Sequence, residues 1–242
     1  MREPSTTLLM TLNSRPPEAV RRVYEILADL SIAVLTVLDR PEPLTREAYV
    51  TCGIGESTEI SGKRGWICPA HAWNVGFSKI ETEYVVCISS EVLLAKDAID
   101  RIREVIAGPP VVVFGKCVDD GIASLVDGGS NILCSSKSPY CRPLGFIVAM
   151  PMWAVRTVGG YDEAFMDGLW YEDDDFFARM FKIGLPFLFD DAINGVHQNH
   201  ERKVLETIGG QAKMAKSRER IMSKYGDAIP WNTLQKTGWM AE

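Results

Sequence analysis

Thr6 to Leu12 is a short apolar run closed by the turn-forming Asn13-Ser14-Arg15-Pro16-Pro17, the pattern of a buried strand. Val20, Val23, Tyr24, Leu27 and Leu30 then recur at three- and four-residue intervals, with Pro16 and Pro17 at the start and Glu18 in the first turn. Proline suits that position and the helix dipole favours an anion there, so a helix is predicted. Ser31 to Leu38 is a second apolar run, ended by Asp39-Arg40-Pro41. Strand, helix and strand in that order make a βαβ unit whose strands are expected to lie parallel, with ligands gathering at their carboxyl ends.

Pro41 to Gly65 is mixed in polarity and carries Gly53, Gly55 and Gly62, which reads as loop or weak strand. A helix from Ala70 to Ile80 leads to a strand at Tyr84 to Ile88, then Ser89-Ser90-Glu91, a helix near Ala95 to Ile106, and a strand at Pro110 to Gly115. Asp119 to Tyr140 is rich in Gly and Ser and takes no assigned element. The second half reads as an apolar run at Phe146 to Met150, a Gly-Gly turn, a helix near Asp173 to Ile183, a strand at Phe187 to Phe189 and a charged helix near Lys203 to Tyr225.

With 242 residues, 46% of them hydrophobic, the chain has material for one large core. The expected division is a domain over residues 1–202 and a helical tail over 203–242 that packs on it, extends from it or makes an oligomer contact. A net charge of −6 and a pI near 5.2 argue against nucleic acid or an anionic membrane as partner. The six cysteines form no CxxC pair, so neither a zinc site nor a disulfide scaffold is expected. Thr6 to Leu12 is too short for a signal sequence and no run reaches the roughly 20 apolar residues of a membrane span, which makes the cytoplasm the expected location.

Candidate chemistry concentrates between Trp170 and His200. Glu172-Asp173-Asp174-Asp175 places four acids in a row beside aromatic residues, which is costly unless cations or protons meet them. In the simplest reading they cap a helix N-terminus and Asp175 pairs with Arg179 one turn on. Asp162 and Glu163 brace a turn after Gly159-Gly160, and Trp153 reads as core.

The context adds a second reading. Gly159-Gly160-Tyr161-Asp162-Glu163-Ala164-Phe165, a spacer, and Tyr171-Glu172-Asp173-Asp174-Asp175-Phe176-Phe177-Ala178-Arg179 resemble the C-terminal half of the family 2 glycosyltransferases. Glu172, Asp173, Asp175 and Arg179 fall on that family's "ED-x-D-aliphatic-x-x-R" positions. Ala72-Trp73-Asn74-Val75-Gly76 is similar to its "A-R-N-x-G" helix, with Trp73 in place of the basic residue. The resemblance covers most of residues 6 to 200. It implies one nucleotide-binding α/β domain of GT-A type, with a central, mostly parallel sheet flanked by helices.

The resemblance also implies roles. Thr11, Asn13, Arg15, Asp39, Asn74, Ser89, Ser90 and Glu91 would bind the donor, with Asp39 on the base or ribose. Asp173 would be the general base and Glu172 its orienting or acceptor-binding neighbour. Trp170 and Tyr171 would meet the acceptor, Trp170 by stacking. The reaction would be inverting transfer of a sugar from a nucleoside diphosphate donor, UDP being the commonest, to a hydroxyl of a glycan or other acceptor.

The main departure is at the family's acidic DxD-type metal motif, where this chain reads Ser89-Ser90-Glu91. Three outcomes stay open: a divalent cation, Mn or Mg, held by Glu91 with a histidine from downstream, a weakly bound one, or a diphosphate neutralised by protein groups alone. Val196-His197 is the better match to the family's histidine, with His200 behind it, and the bland alternative is a surface-loop histidine pair. A GT-A-like sugar- or nucleotide-binding module without catalysis is the rival function. A nucleotidyltransferase and a dinucleotide-dependent oxidoreductase are disfavoured because Asn13 to Pro17 holds no glycine and no G-x-G-x-x-G opens the first helix.

Overall fold

The computed structural model describes residues 3–61, 68–120, 131–137, 141–199 and 208–226. β1 (Thr6–Leu12), α1 (Pro17–Ala28) and β2 (Ala33–Asp39) form the expected βαβ unit, with β1 and β2 parallel and Leu12 opposite Leu38. The helix turns Ala19, Val20, Val23, Tyr24 and Leu27 into the core, and the Tyr24 hydroxyl lies 2.7 Å from Thr36 Oγ1 on β2.

The stretch read as loop or weak strand instead holds α2 (Pro43–Cys52) and β3 (Glu56–Ile60). Periodicity hides α2 because it buries only Thr45, Ala48 and Tyr49 and leaves Leu44 and Val50 exposed. β3 is polar because it is the edge strand, parallel to β2 and without a buried residue.

α3 (Ala70–Lys79) crosses β1 and β2 so closely that a Cβ on Gly76 would stand 2.5 Å from Leu9 Cδ1 and 3.1 Å from Val37 Cγ2. β4 (Tyr84–Ser89) pairs parallel with β1, Thr11 opposite Ser89. β5 (Val92–Leu94) comes next, and α4 (Ala98–Ile106) starts three residues later than expected. β6 (Val112–Asp119), β7 (Ile132–Cys134) and β8 (Ile147–Pro151) follow.

α5 (Met152–Val158) was not anticipated; Met152, Ala154 and Val155 turn inward while Trp153 faces outward at 49% exposure, so Trp153 is not core. A 3-10 helix (Glu163–Asp167) precedes α6 (Glu172–Lys182). The short strand expected at Phe187 to Phe189 is the first part of β9 (Phe187–His197), which runs parallel to β6 through a register shift between Gly115 and Lys116. The polar Asp190 and Asp191 lie at that irregularity, which is why the apolar pattern stops short.

The sheet order is β3-β2-β1-β4-β8-β6-β9-β5, with β7 on β6. β8 is antiparallel to both β4 and β6, so it joins the parallel half of β1 to β4 to the half that carries β9. α7 (Ile208–Tyr225) is the described part of the tail, and it packs on the 3-10 helix and α6 through Asp162, Asp167 and Asp175. Among the described residues no helix is long and apolar enough to cross a membrane.

Gly76→Ala is expected to lower stability by roughly 1–3 kcal/mol, since overpacking against Leu9 outweighs alanine's better helix propensity. A urea titration followed by circular dichroism reads this as a lower midpoint; an unchanged midpoint would show that Leu9 and Val37 yield.

Candidate functional site

The register brings the ends of three parallel strands to one edge. Thr11 sits opposite Val37 and Ser89, so Asp39 at the end of β2, Thr11 to Asn13 at the end of β1 and Ser89 at the end of β4 stand side by side. Asp39 is 1% exposed, and Arg40 donates to its Oδ1 from Nε at 2.9 Å. The buried thiol of Cys68 is pushed up by desolvation first, then by the carboxylates of Glu172, Asp173 and Asp39.

Arg15 and Glu91 meet at this edge. Arg15 Nε donates to Glu91 Oε2 at 2.9 Å and Nη2 to Oε1 at 3.0 Å, a two-pronged pair, while Nη1 donates to Asn13 Oδ1 and Ser14 O. Thr45 Oγ1 accepts from the Arg15 amide and donates to its carbonyl, which pins the loop. Ser90 Oγ adds a hydrogen bond to Glu91 Oε2 at 3.0 Å. His197 lies opposite Val92 on β9 and is 3% exposed, so it is not a surface-loop residue. Its Nε2 is 3.3 Å from Glu91 Oε1 and its Nδ1 is 2.8 Å from Asp119 Oδ1. His200 lies outside the described residues.

The four acids that open α6 take four different environments. Asp174 is buried and paired with Arg142, whose Nη2 reaches its two oxygens at 2.9 and 2.7 Å. Asp175 is 0% exposed and receives Arg179 Nε at 2.8 Å, Lys224 Nζ at 2.9 Å and the Tyr225 hydroxyl at 2.9 Å. Asp173 accepts from the Gly145 amide at 3.0 Å and from the Tyr161 hydroxyl at 2.9 Å. Burial raises its pKa, and those two donors pull it partly back. Glu172 is pushed up to about 8 by burial and then by the charge of Asp173, and its Oε2 has no hydrogen-bond partner.

Gly145 lies between the end of β4 and the start of α6. Its carbonyl lies 3.5 Å from Ser89 Oγ and the next carbonyl, Phe146 O, accepts from the Ser89 amide at 3.0 Å, while its own amide binds Asp173. One residue thus spaces the end of β4 from the carboxylate of Asp173.

Asn74 does not stand at the strand ends. Its amide exchanges two hydrogen bonds with the Tyr161 backbone, at 2.9 and 2.8 Å, and reaches Glu163. Gly160 has φ +73° and a Cβ there would collide with Asn74 Oδ1, which accounts for glycine in that turn. Arg179 Nη1 ties the same turn through Val158 O and Gly160 O. Tyr161 stacks on Phe176 at 4.2 Å, so its hydroxyl is aimed at Asp173 by packing.

Trp170 (φ 64°) and Tyr171 (φ 67°) are left-handed without being glycine, a local strain of order 1–3 kcal/mol each. Trp170 stands 45% exposed two residues before Glu172, and Tyr171 between them packs partly on the core. Sequence reading missed Arg142, Gly145, Thr45 and Asp119. The first two lie in or just beyond a stretch without periodicity, and none carries a motif.

No family model and no curated protein sequence matches the chain. Solved structures do. A mannosyltransferase, PcManGT from Pyrobaculum calidifontis in complex with GDP-Man and Mn2+, superposes with a TM-score of 0.69 at 15% identity, over 98% of this chain and 71% of its own. GalNAc-T7 with UDP, GalNAc and Mn2+ gives 0.67 at 11% identity, over 94% of this chain and 49% of its own. TarS of S. aureus gives 0.59 at 12% identity, over 81% of this chain and 35% of its own. This is a GT-A-type fold. The chain spans about half of GalNAc-T7 and about a third of TarS.

Within the GT-A frame the ends of β1, β2 and β4 share one edge of the sheet, and Glu91 stands where a metal motif was expected. Both oxygens of Glu91 and both ring nitrogens of His197 are already within bonding distance of protein groups. Among the described residues no group of three His, Cys, Asp or Glu side chains could hold a metal ion. The donor set as it stands does not fit a divalent cation.

Glu172 makes stability depend on pH. Unfolded, its carboxyl ionises near 4.5, whereas folded it keeps its proton to about 8. The native state therefore binds more protons in that window, and stability falls as pH rises through it. Glu172→Gln is expected to match the native chain near pH 5 and to melt on the order of 2–4 °C higher at pH 9. Melting curves across that range test this; equal melting temperatures at pH 9 would show the carboxyl ionised at little cost.

Proposed function

We propose that the chain is a glycosyltransferase of the family 2 kind that moves a sugar from a nucleoside diphosphate donor, with UDP as the nucleotide, to a hydroxyl of a glycan or other acceptor, with inversion. The observation that carries this reading is the position of Asp173. Its carboxylate is held by the Gly145 amide, and the carbonyls of Gly145 and Phe146 lie beside Ser89 at the nucleotide edge. A base one residue away from the donor side is placed for an acceptor oxygen that attacks C1 opposite the diphosphate. The neighbours support the class, having been solved with GDP-Man and with UDP and GalNAc.

In the proposed step the acceptor oxygen forms its bond to C1 while the bond from C1 to the diphosphate oxygen breaks and its electron pair leaves with the diphosphate. The acceptor proton passes to Asp173. The Gly145 N–H and Tyr161 O–H keep the Asp173 carboxyl from rising as far as burial alone would take it, which preserves the base form. Glu172, with one oxygen lacking a hydrogen-bond partner, is set to orient the acceptor hydroxyl. Trp170 offers a flat face to a sugar ring. Thr11, Asn13, Ser89 and Ser90 line the donor edge and Asp39 faces the base or ribose, whereas Asn74 holds the Tyr161 turn beside Asp173. Six free thiols agree with a cytoplasmic setting.

The experiment is a panel of UDP- and GDP-sugars followed by released nucleoside diphosphate. Asp173→Asn is expected to reduce turnover on the order of 100- to 10,000-fold with nucleotide affinity retained. Turnover equal to that of the native chain would remove Asp173 as base; nucleotide binding without release from any donor would favour the binding-module reading.

Tyr161→Phe removes a donor that lowers the Asp173 pKa. The acidic limb of the kcat/KM profile is therefore expected to move to higher pH, which a pH series on the same assay measures. An unmoved limb would detach the Tyr161 hydroxyl from the base.

A further inference from the structure

Four charged or ionisable side chains from four separate segments meet at the end of the nucleotide edge: Arg15 after β1, Glu91 after β4, Asp119 at the end of β6 and His197 at the end of β9. We propose that the guanidinium of Arg15, and not a divalent cation, is the positive charge that Glu91 holds for the donor diphosphate. The proposal rests on the transferase reading above and names the charge that reading leaves open.

The geometry is that of a built fixture. Arg15 is held at its backbone by Thr45, at Nη1 by Asn13 and Ser14, and at Nε and Nη2 by Glu91. These bonds use four of its five N–H groups, which leaves one on Nη2 and the guanidinium face. Its side chain is 22% exposed while that of Glu91 is 10% exposed, so the cation lies on the open side of the pair. Glu91 is held from behind by Ser90 Oγ and His197 Nε2, and His197 by Asp119. The main chain closes the unit, with the Gln198 amide donating to Glu91 O at 2.9 Å and Val92 opposite His197.

The remaining Nη2 N–H can donate one charge-assisted hydrogen bond to a phosphate oxygen, and an Arg already ordered by its carboxylate loses little freedom when a phosphate arrives. His197 and Asp119 act as positioning residues, since they orient Glu91 and reach Arg15 only through it.

Two measurements on the full chain test this. The first uses Mn2+ alone, read as loss of the free-ion electron paramagnetic resonance signal. No binding is expected at metal concentrations up to about 0.1 mM, and a dissociation constant below that would overturn the proposal. The second is calorimetric titration with UDP and with GDP, in EDTA and in Mn2+. Affinity is expected to agree within about twofold between buffers and to fall by about tenfold or more in Arg15→Met, with Arg15→Lys between the two. Tenfold tightening by Mn2+, or native affinity in Arg15→Met with a native circular dichroism spectrum, would overturn it. Absence of UDP and GDP binding in either buffer would instead remove the transferase reading, and this proposal with it.

Discussion

The buried carboxylate of Asp175 is the point on which the second half of the molecule closes. It is 0% exposed, and it gathers Arg179 from its own helix with Lys224 and Tyr225 from the end of α7. Arg179 in turn holds the carbonyls of Val158 and Gly160, so one acid joins α6, the glycine turn and the C-terminal helix. A buried charge is tolerated only when it is partnered, and here α6 and α7 both supply partners. Asp174 follows the same logic with Arg142. With these two acids paired to cations inside the fold, Glu172 and Asp173 are the members of the acidic run without a cation bonded to them among the described residues.

That division has a mechanical consequence. α6 begins after two left-handed, non-glycine residues, Trp170 and Tyr171, and strain of this kind persists only where the surroundings impose it. α7 supplies the constraint. Ser217 Oγ accepts from the Leu169 amide, Gly168 lies so close that a Cβ would collide with Ser217, and Lys216 and Arg220 hold Asp167. The C-terminal helix therefore braces the segment that presents Trp170 and Glu172.

At the edge formed by the ends of β1, β2 and β4 the organising force is also charge, but with the opposite exposure. Asp175 is enclosed by cations, whereas Glu91 is backed by His197 and fronted by Arg15, the more open member of the pair. A carboxylate thus serves a closed structural joint in one place and an open, cation-presenting one in the other. Burial and the direction of the partners decide which.

Much of the half from β1 to β4 was legible in sequence, because β1, β2 and β4 are buried on both faces and read as unbroken apolar runs, while α1 and α3 bury one face and carry helix periodicity. The acidic run and the Asp175 to Arg179 pair were legible too, since a helix brings residues four apart together whatever surrounds it. Edge strand β3 and the sparsely buried α2 were not, because a segment with little burial has no pattern to show. Trp153 was misplaced because aromatic character does not say which way a helix turns. The sequence by itself determined the strand ends, the acids and the departure at Ser89-Ser90-Glu91. Only the tertiary structure decided that Glu91 meets Arg15, that Gly145 spaces Ser89 from Asp173 and that α7 locks Asp175. Those contacts join residues 28 to 76 positions apart, and no local periodicity encodes which distant partner will satisfy a buried charge.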